Sequence, residues 1–347
     1  MQKKSIYVAY TGGTIGMHYS HNGCIPVSGY LKNQLDNMLD SYKVTMPNFT
    51  MNEYHPLIDS ADIKPKNWQM IADDIYHNYH LYDGFVIVHG TDTMAFTASA
   101  LSFMLENLTK PVIITGAQIP LEQFRSDGTN NLINALFIAA KYPIHEVTLL
   151  FNNTLYRGNR TTKVHADRFN AFASPNFPPL LEVGPRIRVF NTQSLPLSEG
   201  ELVVHPIFSQ SIGIITIYPG MSAQVVRSFT REPMKALIIR SYGMGNAPQN
   251  KEFLDELKGA TQRGVVVVNV TQCVSGKVNM RRYMSGHRLA CAGVIGGADL
   301  SVEAALAKLY YLLSKNLTSE EIRDLMQKNL RGELTVEVSE DSEFFDI

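Results

Sequence analysis

The sequence has 347 residues, 45% of them hydrophobic and 18% charged, which at about 150 residues per domain is enough chain for two domains with large cores. Thirty-one Lys and Arg stand against 32 Asp and Glu for a formal net charge of −1, with no basic run, and this argues against nucleic acid or an anionic membrane as partner. No apolar stretch approaches the ~20 residues that cross a bilayer, and ordinary Gly and Pro contents of 24 and 16 residues exclude disordered and fibrous classes.

The chain opens with Met1-Gln2-Lys3-Lys4 ahead of an apolar run from Ile6 to Tyr10. That run is too short for the core of a signal peptide and predicts a buried strand in a protein that is not exported. Cys24, Cys273 and Cys291 form no CxxC pair and leave an odd thiol, which fits a reducing compartment, so a cytoplasmic protein is expected. Runs at 5–10, 83–89, 111–115 and 147–152 are brief, β-branched and closed by Gly or Asn, and predict buried strands. Between them a helix is expected from about Lys66 to Tyr79, with Trp68, Ile71, Ala72, Ile75 and Tyr79 on one face and Pro65 near its first turn. Another carries Ala95, Ala98, Leu101 and Leu105.

The stretch from Ser174 to about Ser209 holds Pro175, Pro178, Pro179, Pro185, Pro196 and Pro206 and breaks this rhythm. An interdomain linker is placed there, over residues 186–210, between an N-terminal catalytic α/β domain (1–185) and a C-terminal α/β domain (211–347). Beyond it strands are expected near 212–217, 235–240 and 264–270, then a helix over Leu300 to Ser314 and a last one opened by the capping box Thr318-x-x-Glu321. The acidic tail from Glu337 to Ile347 is expected to fray. Strands alternating with helices predict an α/β fold built on parallel sheets.

In such a sheet, ligands bind at the carboxyl ends of the strands. The first strand runs into Thr11-Gly12-Gly13-Thr14-Ile15-Gly16, where backbone can approach a ligand closely. Taken alone this is a tight turn with a capping threonine, and it lacks the third glycine of a dinucleotide fingerprint, so NAD is not expected. Leu57-Ile58 runs into Asp59-Ser60-Ala61-Asp62, which reads equally as an Asx-turn or as a seat for a small carboxylate. Phe85-Val86-Ile87-Val88 runs into His89-Gly90-Thr91-Asp92-Thr93, where helix capping accounts for one polar residue but not for the cluster. Lys163 follows the 147–152 strand and a turn at Gly158.

Together, Tyr10 to Gly16, Gly84 to Thr93 and the pair Thr162-Lys163 resemble the L-asparaginase family over almost the whole chain, and most closely its cytosolic, type I bacterial members. Asp59-Ser60, Gly243-Met244-Gly245-Asn246, Thr271-Gln272-Cys273 and Asn329 to Glu333 agree with it. The resemblance implies a larger N-terminal domain with a parallel sheet, a smaller C-terminal α/β domain, a homo-oligomer (dimer or tetramer), and hydrolysis of L-asparagine to L-aspartate and ammonia without metal or organic cofactor. It implies Thr14 as the nucleophile that forms an acyl-enzyme, and Thr91, Asp92 and Lys163 as the proton-handling chain. It further implies that Asp59, Ser60 and Ala61 with Thr91 and Asp92 hold the substrate, and that Asn246 of a neighbouring subunit completes the pocket. Ala61 stands where other members carry a polar residue.

Two further features enter through the resemblance. Relatives place a tyrosine beside the nucleophile in the segment up to Ser28, expected to act as a mobile lid, where this sequence has Cys24; either Tyr19 supplies the phenol instead or no tyrosine is needed here. Cytosolic members can also carry a regulatory asparagine site, here expected at Arg240, Ser241, Tyr242, Thr271, Gln272 and Cys273 with Thr162 as a link. By its residue chemistry alone, Arg240 after a buried strand reads as a salt bridge, a subunit contact or a bidentate carboxylate site. The readings that compete with asparagine hydrolysis are a glutaminase or other small-amide hydrolase, since one methylene gives only about 1 to 3 kcal/mol of discrimination, and a non-catalytic asparagine sensor. A sensor needs no nucleophile, and ammonia release separates the two.

Overall fold

The apolar run behind the basic start forms strand β1 (Ser5–Tyr10), its last five residues buried, in a computed structural model that describes residues 3–21, 23–39, 45–190 and 194–336. The chain divides into two units, one of residues 1–210 with 306–314 and one of residues 211–305 with 315–347.

In the first unit, β1 passes through a 3-10 turn at Thr14–Gly16 into a hairpin of β2 (Met17–Ser20) and β3 (Gly23–Pro26), then α1 (Tyr30–Leu39). There follow β4 (Asn48–Glu53), α2 (Pro65–Asn78), β5 (Gly84–Val88), α3 (Met94–Met104), the two-residue β6 (Leu105–Glu106), β7 (Val112–Thr115), α4 (Gly128–Lys141), β8 (Val147–Phe151) and β9 (Thr154–Arg157). Short antiparallel pairs complete it: β10 (Thr162–Lys163) with β11 (Phe172–Ala173), β12 (Leu181–Glu182) with β13 (Arg188–Val189), and β14 (Val203–Val204) with β6.

The main sheet has the order β13-β12-β9-β8-β7-β5-β1-β4. The five strands from β8 to β4 are parallel, as the alternation predicts. The other three are antiparallel, which departs from a purely parallel sheet. The cause lies in Asn152 and Asn153, at φ 45° and 65°: two consecutive left-handed residues make the tight turn that reverses β8 directly into β9. Within the parallel group the chain moves from β1 to β4 on one side and then crosses to β5 on the other. That reversal opens a crevice outside the carboxyl ends of β1 and β5.

The core packs Ile6, Val8, Tyr10, Val86 and Val88 from the sheet against Leu132, Leu136 and Ile138 of α4. Trp68, Ile71, Ala72 and Ile75 of α2 are buried as predicted, while Tyr79 lies just past the helix and stacks on Phe85 at 5.7 Å between ring centroids. Nearly every residue of α3 is buried, the reason its sequence shows no polar face. Leu105, expected on that helix, instead turns extended and pairs with Val204 in β6.

The second unit is a four-stranded parallel sheet in sequence order, β15 (Ile212–Thr216), β16 (Ala236–Ser241), β17 (Val266–Thr271) and β18 (Ile295–Gly296). Its helices are α5 (Ala223–Thr230), α6 (Lys251–Gln262), α7 (Met284–Cys291) and, after the shared α8 (Val302–Leu313), α9 (Ser319–Met326). The predicted box opens α9: the Thr318 N–H donates to Glu321 Oε2 at 2.8 Å and the Glu321 N–H to Thr318 Oγ1 at 3.3 Å. The acidic tail lies outside the described residues.

Candidate active site

Three loops leave the strand ends of the first unit and touch through glycine. Gly13, at φ 98°, lies so close to the next loop that a Cβ on it would stand 2.5 Å from the backbone of Gly90. A Cβ on Gly90 would stand 2.5 Å from Ser60 Oγ, and one on Gly12 2.3 Å from the carbonyl oxygen of Ile58. Backbone contact of this kind is open only to glycine. The β1–β5 register supports it, because the Thr11 N–H and hydroxyl both donate to the Val88 carbonyl at 3.0 and 2.9 Å. Thr93 Oγ1 then donates to the Ser60 carbonyl at 2.7 Å. Thr14, Ser60 and Thr91 thus sit on loops with abutting backbones.

Capping accounts for neither polar residue ahead of α3. Thr93 is the N-cap but makes no side-chain cap bond, and Asp92 accepts from Lys163 Nζ at 2.7 Å. The same Nζ donates to Thr91 Oγ1 at 2.9 Å. The Lys163 side chain is 18% exposed and that of Asp92 68%, so the pair orients the lysine more than it stabilises the fold. The Thr14 hydroxyl makes no hydrogen bond to another described residue. Asp59 Oδ1 accepts from the Ala61 N–H at 3.0 Å, the Asx-turn that the sequence allows, and both residues are exposed while Ser60 is buried.

Gln118, absent from the sequence reading, and His89, present there only as the first residue of the loop after β5, complete this cluster. Thr91 Oγ1 donates to Gln118 Oε1 at 3.1 Å, and Gln118 Nε2 donates to the carbonyls of Ala166 and Arg168 at 3.1 and 3.0 Å. Behind the loop, buried His89 has Nδ1 2.7 Å from the Gly90 carbonyl and Nε2 2.9 Å from Thr97 Oγ1, which accepts from Trp68 Nε1 at 3.0 Å. Burial holds the imidazole pKa down to about 4, so the ring is neutral near pH 7. A carbonyl only accepts, so Nδ1 carries the proton and Thr97 donates to Nε2. Gln118 was legible in principle, since it stands three residues beyond β7, at a strand end like the others. His89 stands in sequence at the head of the polar loop, and nothing there shows its buried bonds to Gly90 and Thr97.

In the second unit, the residues of the predicted regulatory set come together at the ends of β16 and β17, where Ser241 registers with Thr271 and the Gln272 N–H donates to the Ser241 carbonyl at 2.9 Å. Thr271 Oγ1 donates to the Gly243 carbonyl at 2.6 Å and accepts from the Cys273 N–H at 3.0 Å. Among the described residues the Arg240 guanidinium reaches only Thr216 Oγ1, at 3.5 Å, and its Nε is buried without a partner, as is the Tyr242 hydroxyl. Asn246 bridges to Tyr242 and its Oδ1 accepts from Ser285 Oγ at 2.6 Å. Thr162 lies in the first unit, beside Lys163 on β10.

Tyr19 registers opposite Cys24 across the β2–β3 hairpin; their side chains lie outside what is described, so the source of a phenol rests on sequence alone. No group of three or more His, Cys, Asp or Glu suited to a metal ion occurs among the described residues, and no described helix is long and apolar enough to cross a membrane.

Residues 5–195 match the family described as "Asparaginase, N-terminal", and residues 211–326 the "Glutaminase/Asparaginase C-terminal domain". The chain is 68% identical to L-asparaginase 1 of Escherichia coli K12, over 96% of this chain and 99% of the relative. It is 42% identical to a human 60 kDa lysophospholipase over 96% of this chain and 62% of the relative. Among solved structures, L-asparaginase I from Vibrio cholerae is 58% identical with a TM-score of 0.90, covering 96% of this chain and all of that one.

Proposed function

The chain belongs to the asparaginase family and hydrolyses L-asparagine to L-aspartate and ammonia, and we propose that it does so through an acyl-enzyme on Thr14. The Thr14 oxygen attacks the side-chain amide carbon, nitrogen leaves as ammonia after taking up a proton, and water then cleaves the aspartyl ester and returns the proton to Thr14. A threonine hydroxyl is a weak nucleophile and needs a proton relay within reach. Thr91, Asp92 and Lys163 serve as that relay. Asp59, Ser60 and Ala61 receive the substrate's α-carboxylate and ammonium together with Thr91 and Asp92.

The observation that carries this reading is the glycine-mediated contact of the Thr14, Ser60 and Thr91 loops, with Lys163 bonded to both Thr91 and Asp92. Rapid-quench labelling tests it. An aspartyl adduct on the peptide containing Thr14 is expected, absent in Thr14→Ala; an adduct elsewhere would contradict the assignment.

Asn246 of a neighbouring subunit completes the pocket in this proposal, so the working form is a homo-oligomer, dimer or tetramer. The exposed free thiols Cys273 and Cys291 fit a cytoplasmic enzyme. The strand ends of the second unit bind asparagine as an effector: the unpartnered Arg240 Nε and Tyr242 hydroxyl are polar groups that a bound carboxylate would satisfy.

A further inference from the structure

We propose that Gln118 is a positioning residue for the reaction, an amide clamp that sets the hydroxyl rotor of Thr91 and ties it to the hairpin carrying Lys163. The inference rests on the role given above to Thr91 and Lys163 and extends it to a residue outside that set.

Hydrogen accounting fixes the orientation of the amide. Both Nε2 hydrogens are taken by backbone carbonyls, those of Ala166 and Arg168, and a carbonyl can only accept. The atom turned to Thr91 is therefore Oε1. It accepts the single Thr91 hydroxyl proton, so the Thr91 oxygen presents its lone pairs to Lys163 Nζ, which donates to it at 2.9 Å. Each donor and acceptor in the set has one assignment. A flipped amide would set an NH2 against a hydroxyl already receiving Lys163, and Oε1 against two carbonyls.

The clamp is held from both sides. The Gln118 and Ile119 N–H groups donate to Asp127 at 3.1 Å, just ahead of α4, and Asn131 of α4 donates to both Asp127 and the Gly116 carbonyl. Ala166 and Arg168 lie in the loop between β10 and β11, with Val164 N and His165 N on the Ala171 carbonyl closing that hairpin. Lys163 is the last residue of β10. Gln118 thus contacts Thr91 directly and is tied to Lys163 through the hairpin loop that begins three residues on, at Ala166, which closes a ring around the relay.

Two variants test the proposal in the full-length enzyme with L-asparagine. Gln118→Met keeps the length and removes every side-chain hydrogen bond; it is expected to lower kcat roughly 100-fold, the scale on which small misplacements at a reacting centre act, with KM within about 3-fold of wild type because the contacts from Asp59, Ser60, Ala61 and Asp92 remain. Gln118→Glu gives the sharper signature. A protonated Glu has one O–H for a carbonyl and one C=O for Thr91, an arrangement like the amide's, whereas the carboxylate faces two carbonyls with no donor. The ratio of its kcat to that of wild type is therefore expected to rise as pH falls from 8 to 5. A ratio independent of pH, or a Gln118→Met enzyme with kcat within twofold of wild type, would overturn the clamp. Should Gln118→Met fail to fold, the pH ratio of Gln118→Glu decides alone. Failure of the underlying reading looks different: wild type would then release no ammonia, or Thr91→Val and Lys163→Met would retain full kcat.

Discussion

Thr14, Ser60 and Thr91 share one site because glycine lets their loops meet backbone to backbone. Gly13→Ala places a methyl 2.5 Å from Gly90 at a φ of 98°, so the loops must separate. We expect kcat/KM to fall by about 100-fold or more with a lower melting temperature, whereas Gly29→Ala, with open space around it, serves as a left-handed control that leaves kcat/KM within a few-fold of wild type. His89 gives a pH dependence of stability. The unfolded chain protonates this imidazole near 6.5 and the folded chain only near 4, so between those values the unfolded state binds more protons. Stability therefore falls as pH drops from 6.5 to 4, by roughly 3 kcal/mol in total, and this part of it is constant above 6.5. Urea titrations of wild type and His89→Gln across that window check it; equal pH dependence in both would contradict a neutral buried ring.

At the scale of elements, the strands and the polar loops at their ends could be read in the sequence, because a buried parallel strand is a short apolar run and its carboxyl end must carry the polar groups. Asp59 to Asp62, His89 to Thr93 and Lys163 were visible in this way. Gln118 stands at such an end too, but its role was not legible, since it depends on the Ala166 and Arg168 carbonyls, 48 and 50 residues on in the chain. Nor was the antiparallel part of the sheet legible, three strands of eight, decided by two asparagines that read only as a strand end. That part is fastened by a buried ion pair: Arg157 Nε meets Glu146 Oε2 at 2.6 Å, with the Arg157 guanidinium 4.3 Å from the Phe177 ring centre and the Leu195 N–H donating to Glu146 Oε1. Glu146→Ala leaves a buried cation and is expected to destabilise the fold by about 3 to 5 kcal/mol, measured by urea unfolding; a change under 1 kcal/mol would mean that the arginine finds water or another partner.

At the scale of the whole molecule the proposed function adds two things that a single chain does not contain, a neighbour's Asn246 and communication from an effector site. Two sites are coupled when the effector has different affinity for two states of the enzyme. Arg240→Ala is expected to convert a sigmoidal rate curve into a hyperbolic one while sparing turnover at saturating asparagine; a curve that stays sigmoidal would remove Arg240 from the effector site. If a neighbour's Asn246 completes the pocket, as proposed, dilution lowers specific activity along with oligomer mass in light scattering; full activity in a monomer would contradict the role of Asn246. The most direct measurement is ammonia release by the purified protein over a wide range of L-asparagine, with L-glutamine in parallel and Thr14→Ala alongside. Turnover of asparagine that vanishes in Thr14→Ala is the predicted result; asparagine binding without ammonia release, or undiminished turnover in the variant, would contradict it.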